Sequence, residues 1–249
     1  MHEVEPIKRA LRRHPAGRSL VDVWRELRAM RDGWARGRGP ASGSSGWGQP
    51  FNGQRVRLAT VRALVDAFDP DAIVETGTFL GDTTRFFSGN LLPVYSIEIK
   101  MIYHLAAKLA MLRRPDVTLI RGDSVEVLSA LAVSRPFQRP LAYLDAHWWS
   151  HLPLRGELAQ LLQGWDHVAI VIDDCRVPGD QGYGFDTYDG VPLSLDMLNL
   201  PASAFAAFPA VPSSEETGAR RGTLYVGNGE AAIAALQDLV GTGLLIPAR

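Results

Sequence analysis

A single cysteine, Cys175, in 249 residues excludes an internal disulfide and a thiolate metal cluster, and it fits a reducing cytosol. Neither sign of charge is in excess. The 26 Lys and Arg stand against 27 Asp and Glu, a formal net charge of −1, so no global field recruits nucleic acid or an anionic membrane. Apolar runs stop short of the roughly 18 residues needed to span a bilayer, and no charged-then-apolar leader opens the chain. What remains is ordinary, with 46% hydrophobic and 21% charged residues and enough length for one sizeable core. The expectation is a cytoplasmic α/β protein with neither nucleic-acid nor membrane partners.

The most informative stretch is Ile73-Val-Glu-Thr-Gly-Thr-Phe-Leu-Gly-Asp-Thr-Thr84. A short apolar run reads as a buried parallel strand. It ends in Glu75, turns through Gly77 and Gly81, and can start a helix at Asp82 or Thr83. Glycines in such a turn let the backbone approach a ligand, and ligands in open α/β sheets sit outside the carboxyl ends of the strands. The G-x-G-x-x-G spacing of a dinucleotide site is missing, and no Walker lysine follows. An acid at the turn repels phosphate and suits a cationic amine. The pattern Glu75-x-Gly77-x-x-x-Gly81 resembles motif I of the class I S-adenosylmethionine (SAM) methyltransferases. The resemblance implies that Glu75, Gly77, Thr78 and Gly81 lie along the methionine part of SAM.

Around this turn the chain divides into an arm (1–53) and a larger domain (54–249). The arm is basic, with helical periodicity over 4–13 and 19–31. Leu20, Val23, Trp24, Leu27 and Met30 form one apolar face, a natural contact for a second copy of the chain. Its Gly/Ser-rich end, 36–53, is a linker or a lid, and Trp47 and Phe51 are unusual for a plain spacer. From 54 onward a helix is followed by five β/α alternations, with strands at 72–75, 93–98, 117–121, 141–145 and 167–173. A long loop (174–191), a helix near 193–200, an apolar segment at 203–211 and a strand at 222–226 come next. The last two suit an antiparallel pair at the sheet edge. This predicts a Rossmann-like, doubly wound, seven-stranded sheet, mostly parallel with an antiparallel last strand, behind an N-terminal helical extension.

Each strand end offers a polar group. Glu98 closes the second strand, where an acid accepts hydrogen bonds from both ribose hydroxyls. Asp123 and Ser124 follow the third, either holding an adenine edge or capping the next helix. Asp145-Ala-His147-Trp148-Trp149 follows the fourth and Asp173-Asp174 ends the fifth. Clustered carboxylates repel, a cost that a divalent cation relieves, and oxygen ligands favour Mg²⁺ or another hard ion.

These segments together resemble the metal-dependent catechol and caffeoyl-CoA O-methyltransferases over roughly residues 55–180. Glu98 with Tyr103 matches the family's ribose segment and Gly122-x-Ser124 its adenine segment. Asp145 with His147-Trp148, and Asp173-Asp174 before Pro178-Gly179, match its metal stretches. The resemblance implies that Asp145, Asp173 and Asp174 hold Mg²⁺. The chain departs from the pattern in three ways. Ala146 separates Asp145 from His147, Asp174 stands where the family often has Asn, and no lysine base follows Trp148. His147 is then the candidate general base, by its unperturbed pKa near 6.5, unless it is itself a ligand or only a loop histidine. His151 is a second choice. Trp148, Trp149, Tyr183 and Tyr188 are candidates to line an acceptor pocket, and Cys175 is structural.

The expected activity is methyl transfer from SAM to a hydroxyl of a small molecule (a natural product, sugar or phenol), with His147 or water taking the proton. A non-catalytic SAM-fold partner protein and an NAD(P)-dependent oxidoreductase are the alternatives.

Overall fold

The computed structural model describes residues 49–90, 92–147 and 152–248. The expected N-terminal helices and Trp47 lie outside these residues, as do Trp148, Trp149 and His151. Of the Gly/Ser-rich run, 49–53 is described. There Phe51 is buried against the rings of Phe86, Phe87 and Tyr143, which makes it an anchor.

Five parallel strands form the centre: β1 (Ala72–Thr76), β2 (Val94–Glu98), β3 (Val117–Arg121), β4 (Pro140–Leu144) and β5 (Val168–Asp173). The helices between them are α2 (Asp82–Phe87), α3 (Met101–Ala110), α4 (Ser124–Ser134) and α5 (Leu154–Gly164), with α1 (Arg55–Phe68) ahead of β1. A small hairpin, β6 (Thr187–Tyr188) and β7 (Val191–Pro192), interrupts the long loop. The chain then adds β8 (Phe205–Pro209), β9 (Thr223–Asn228), α6 (Glu230–Gly241) and β10 (Leu245–Pro247).

The main sheet runs β10-β8-β9-β5-β4-β1-β2-β3. It has eight strands where the sequence predicts seven. β8 and β9 form the expected antiparallel pair, but β9 lies inside the sheet against β5, and β10 takes the edge beyond β8. β10 is three residues long and carries Pro247, a residue that edge strands tolerate. Such a strand leaves no periodic signature. The helix expected near 193–200 is a single 3-10 turn, Leu195–Met197. Pro192 and Pro201 bracket that stretch, and proline disfavours helix in the residue before it.

β1, β4 and β5 are buried along their whole length, as parallel strands covered on both faces must be. Their side chains alternate between two cores. Val74, Leu144, Ile170 and Ile172 join Leu128, Leu158 and Trp165 of the α4–α5 side. Ile73, Leu141, Tyr143 and Val171 join Val61, Leu64 and Leu236 of the α1–α6 side. α1 contributes Val61, Leu64 and Phe68 at helical spacing, and ends where Asp69 turns left-handed. The sheet order reverses between β1 and β4, which opens the crevice where open α/β sheets bind ligands. No helix among the described residues is long and apolar enough to cross a membrane.

Candidate functional site

The strand pairings put the key residues at one level. Thr76 lies beside both Ile97 and Leu144, and Leu144 beside Ile172, so Gly77, Glu98, Asp145 and Asp173 line up across four strand ends. A cavity of about 870 Å³ opens over them, lined by Glu75, Gly77, Glu98, Ser124, Asp145, His147 and Asp174 among others. Its size is that of a small-molecule or cofactor site.

Gly77 has φ +85°, in the left-handed region. A Cβ there would meet the carbonyl oxygen of Asp145 at 2.2 Å. The glycine therefore makes room for the neighbouring strand as well as for a ligand. Gly81 also has a positive φ and precedes α2, and a Cβ there would come within 3.0 Å of the Met111 side chain.

On the β1–β2 side, Glu75 is buried and its Oε2 accepts from Ser96 Oγ (2.6 Å) and from Thr84 Oγ1 (2.5 Å). Burial pushes its pKa up to about 7, against the lowering effect of those two hydroxyls. Thr78 is fixed by its own hydroxyl contact with Ser96 (2.6 Å). Glu98 accepts from the backbone N–H of Phe79 (2.9 Å) and of Lys100 (2.8 Å), which aims the carboxylate along the cavity. Burial raises its pKa, partly offset by those N–H groups. Ser124 lines the cavity. Asp123 is spoken for by α4, which it caps by accepting from Val125 N (2.9 Å) and Glu126 N (3.3 Å). Of the two adenine candidates, only Ser124 faces the cleft.

On the β4–β5 side the structure regroups the expected metal ligands. Asp145, His147 and Asp174 bring ligand atoms within 4.8 Å of one another. Asp173 points away into the protein. Its Oδ1 meets Arg57 Nη1 and the N–H of Asp174 (2.7 Å), and its Oδ2 accepts from the Tyr143 hydroxyl (2.6 Å). Asp173 and Arg57 are both buried, so this carboxylate is not available to an ion in the cleft. The cause is Arg57, whose charge needs a buried partner.

The electrostatics follow. Burial and the carboxylates of Asp173 and Asp174 raise the Asp145 pKa well above the usual range. Burial also acts upward on Asp174, but His147 and Arg221 outweigh it and hold its pKa down at about 2. For His147 burial acts downward and Asp174 reverses it, so the imidazole's pKa rises. The ring sits with Nε2 3.8 Å from Asp174 Oδ2.

Two charged groups at the site went unseen in the sequence. Arg221, just before β9, pairs through Nε with Asp174 and through Nη2 with Asp186, at the cavity wall. Glu157 of α5 is wholly buried beside His147 and Ser124. No local motif marks either, since an arginine before a strand and a glutamate in a helix are commonplace. Tyr183 and Tyr188 are core residues and do not line this cavity. Tyr183 donates to Val211 O (3.0 Å), and Tyr188 sets its ring edge-on to His147. Cys175 is buried with its thiol pKa pushed up to about 12, an inert side chain.

Solved structures share this fold. An O-methyltransferase assignment from Klebsiella pneumoniae is 17% identical, covering 82% of this chain and 90% of that one, with a TM-score of 0.54. A Staphylococcus aureus protein assigned as a caffeoyl-CoA O-methyltransferase is 15% identical over 70% of this chain and 84% of its own, with a TM-score of 0.53. The O-methyltransferase TomG of Streptomyces achromogenes, solved with SAM, is 17% identical over 81% and 90%, with a TM-score of 0.51. No family model and no curated protein matches the chain. At these identities the likeness establishes the fold alone, a Rossmann-like α/β sheet that those methyltransferases share.

Proposed function

We propose that the chain is a SAM-dependent methyltransferase that modifies a hydroxyl of a small molecule. One observation carries this reading. Glu75, Glu98 and Asp145, from three parallel strand ends, line a single cavity at the point where the sheet order reverses. An adjacent-acid row of this kind matches a donor with a cationic amine, a ribose and a sulfonium. It would repel the pyrophosphate of a dinucleotide, which counts against the oxidoreductase alternative.

Each residue then has a task. Glu98 retains lone pairs for the ribose hydroxyls after accepting two backbone N–H groups. Glu75 faces the amine and Ser124 the adenine. SAM supplies an electrophilic methyl group, and its sulfur keeps the electron pair of the broken bond. The acceptor oxygen forms the new bond and loses its proton to His147, or to water where an ion holds the imidazole.

A divalent cation fits Asp145, His147 and Asp174, in place of the Asp145, Asp173 and Asp174 set expected from sequence. Two carboxylates and an imidazole without a hydrogen-bond partner among the described residues are a suitable donor set. Bound there, the ion would act as a Lewis acid and lower the pKa of the acceptor hydroxyl.

Calorimetric titration of the protein with SAM and S-adenosylhomocysteine tests the donor, and a screen of alcohols and phenols with methyl-labelled SAM tests the activity. Tight binding of both, weakened by Glu98→Ala, is expected. Binding of NAD(P)H with indifference to SAM overturns the reading, and SAM binding without turnover of any acceptor favours the non-catalytic alternative.

A further inference from the structure

Three facts about the β4–β5 side bear on which ion would bind there. First, an oxygen ligand of the expected set is lost. Both oxygens of Asp173 are taken by Arg57, Tyr143 and the Asp174 N–H, and the residue is fully buried. Second, a nitrogen takes its place. The His147 side chain is completely buried, lines the cavity, and has no hydrogen-bond partner at either ring nitrogen among the described residues. A buried imidazole with both nitrogens unsatisfied is costly. Its Nε2 faces Asp174 Oδ2 across 3.8 Å, too long for a hydrogen bond. Metal–nitrogen and metal–oxygen bonds of about 2.0–2.2 Å each span such a gap. Arg221 does not occupy the facing oxygen, because its Nε pairs with the other one, Oδ1.

Third, a buried carboxylate lies near the imidazole. Glu157 is fully buried beside His147 and the hydroxyls of Ser124 and Thr76, and its charge acts on the imidazole. Histidines that bind metals donate their second ring N–H to such a group, which fixes the tautomer and raises the basicity of the ligating nitrogen. A hydroxyl or backbone carbonyl would serve a structural histidine as well.

We infer that the cleft selects a transition-series divalent cation, of the Fe²⁺, Co²⁺ or Zn²⁺ class, over Mg²⁺. His147, Asp145 and Asp174 are the ligands and Glu157 positions His147. Hard Mg²⁺ prefers an all-oxygen octahedral shell, whereas imidazole nitrogen suits the later ions. The inference deepens the proposed function and rests on its placing an ion in this cleft.

The test uses the full chain stripped with a chelator. Co²⁺ is titrated while the visible d–d absorption is followed, Mg²⁺ is titrated by calorimetry and as a competitor, and S-adenosylhomocysteine binding is measured separately. The expected result is Co²⁺ affinity at least an order of magnitude above that for Mg²⁺. His147→Gln should remove the preference and change the spectrum, and Asp174→Asn should weaken both ions. Glu157→Gln should lower Co²⁺ affinity about ten- to a hundredfold while leaving the ligand set, read from band shape, in place. Thermal unfolding of each variant separates loss of the site from loss of the fold. Asp145→Asn serves as the second ligand variant should His147→Gln not fold. Equal affinity for Mg²⁺ and Co²⁺, or an unchanged spectrum in His147→Gln, overturns the inference. S-adenosylhomocysteine binding with no binding of either ion also overturns it while leaving methyl transfer standing. Co²⁺ binding without S-adenosylhomocysteine binding upholds the ion site and counts against the methyltransferase.

Discussion

Arg57 on α1 and Asp173 at the end of β5 form an ion pair sealed from solvent, their side chains 2% and 0% exposed. Arg57 also reaches the carbonyl oxygens of Arg221 and Gly222, and Tyr143 closes the other side of the carboxylate. Removing one member of such a pair leaves an uncompensated buried charge. Arg57→Ala is expected to cost about 3–5 kcal/mol of stability, measured by denaturant unfolding. A loss within the range of an ordinary surface substitution would show that the pair is not what holds Asp173 out of the cleft.

Glu75 gives a pH signature. Burial raises its pKa to about 7 in the ligand-free protein, so it is largely neutral below that pH. Its contribution to stability is full below the unfolded value, near about 4.3, and is lost as pH rises through about 7. A cationic donor needs the ionised form. S-adenosylhomocysteine affinity should therefore rise about tenfold between about pH 6 and pH 8. Glu75→Gln should abolish that rise and make the ligand-free protein more stable at the alkaline end. A flat affinity profile in the unaltered protein would remove Glu75 from the amine site.

Asp123 separates helix capping from ligand binding. Asp123→Ala should lower stability by about 1 kcal/mol through the lost N-cap and leave donor affinity unchanged by calorimetry. A drop in affinity with stability intact would return Asp123 to the adenine site.

Asp174 and Arg221 set an acid limb. The pKa of Asp174 is held at about 2, so its stabilising contribution is present above the unfolded value of about 3.9 and is lost as pH falls towards the folded one. That contribution is on the order of 2 kcal/mol. Arg221→Met should remove much of it, seen as a shallower fall in unfolding free energy on the acid side. An unaltered acid limb would mean that His147 alone depresses Asp174.

The parallel centre of the sheet was legible because burial on both faces leaves short apolar runs such as Ala72-Ile73-Val74 and Val168 to Ile172. Glu75, Glu98 and Asp145 were legible as candidates for a related reason, since a charged residue at the end of such a run stands at the level of the cleft. Asp173 misled because position along the chain says that it ends a strand and nothing of which face it takes. That choice is made by Arg57, 116 residues away. Glu157 and Arg221 escaped for the same reason, their significance coming from His147 and Asp174 across the fold. The edge strand β10 is too short to carry a pattern at all.

The close approach at Gly77 has a mechanical consequence. With the Asp145 backbone lying where a side chain would otherwise stand, the turn after β1 and the turn after β4 bear directly on one another, and the Asp145 N–H donates to Thr76 O at 3.0 Å. The two walls of the crevice are thus one stiff unit, like the fixed jaws of a gauge. The spacing between the Gly77 turn and Asp145 is set when the chain folds. Adjustment to ligands of different size falls to the surrounding loops.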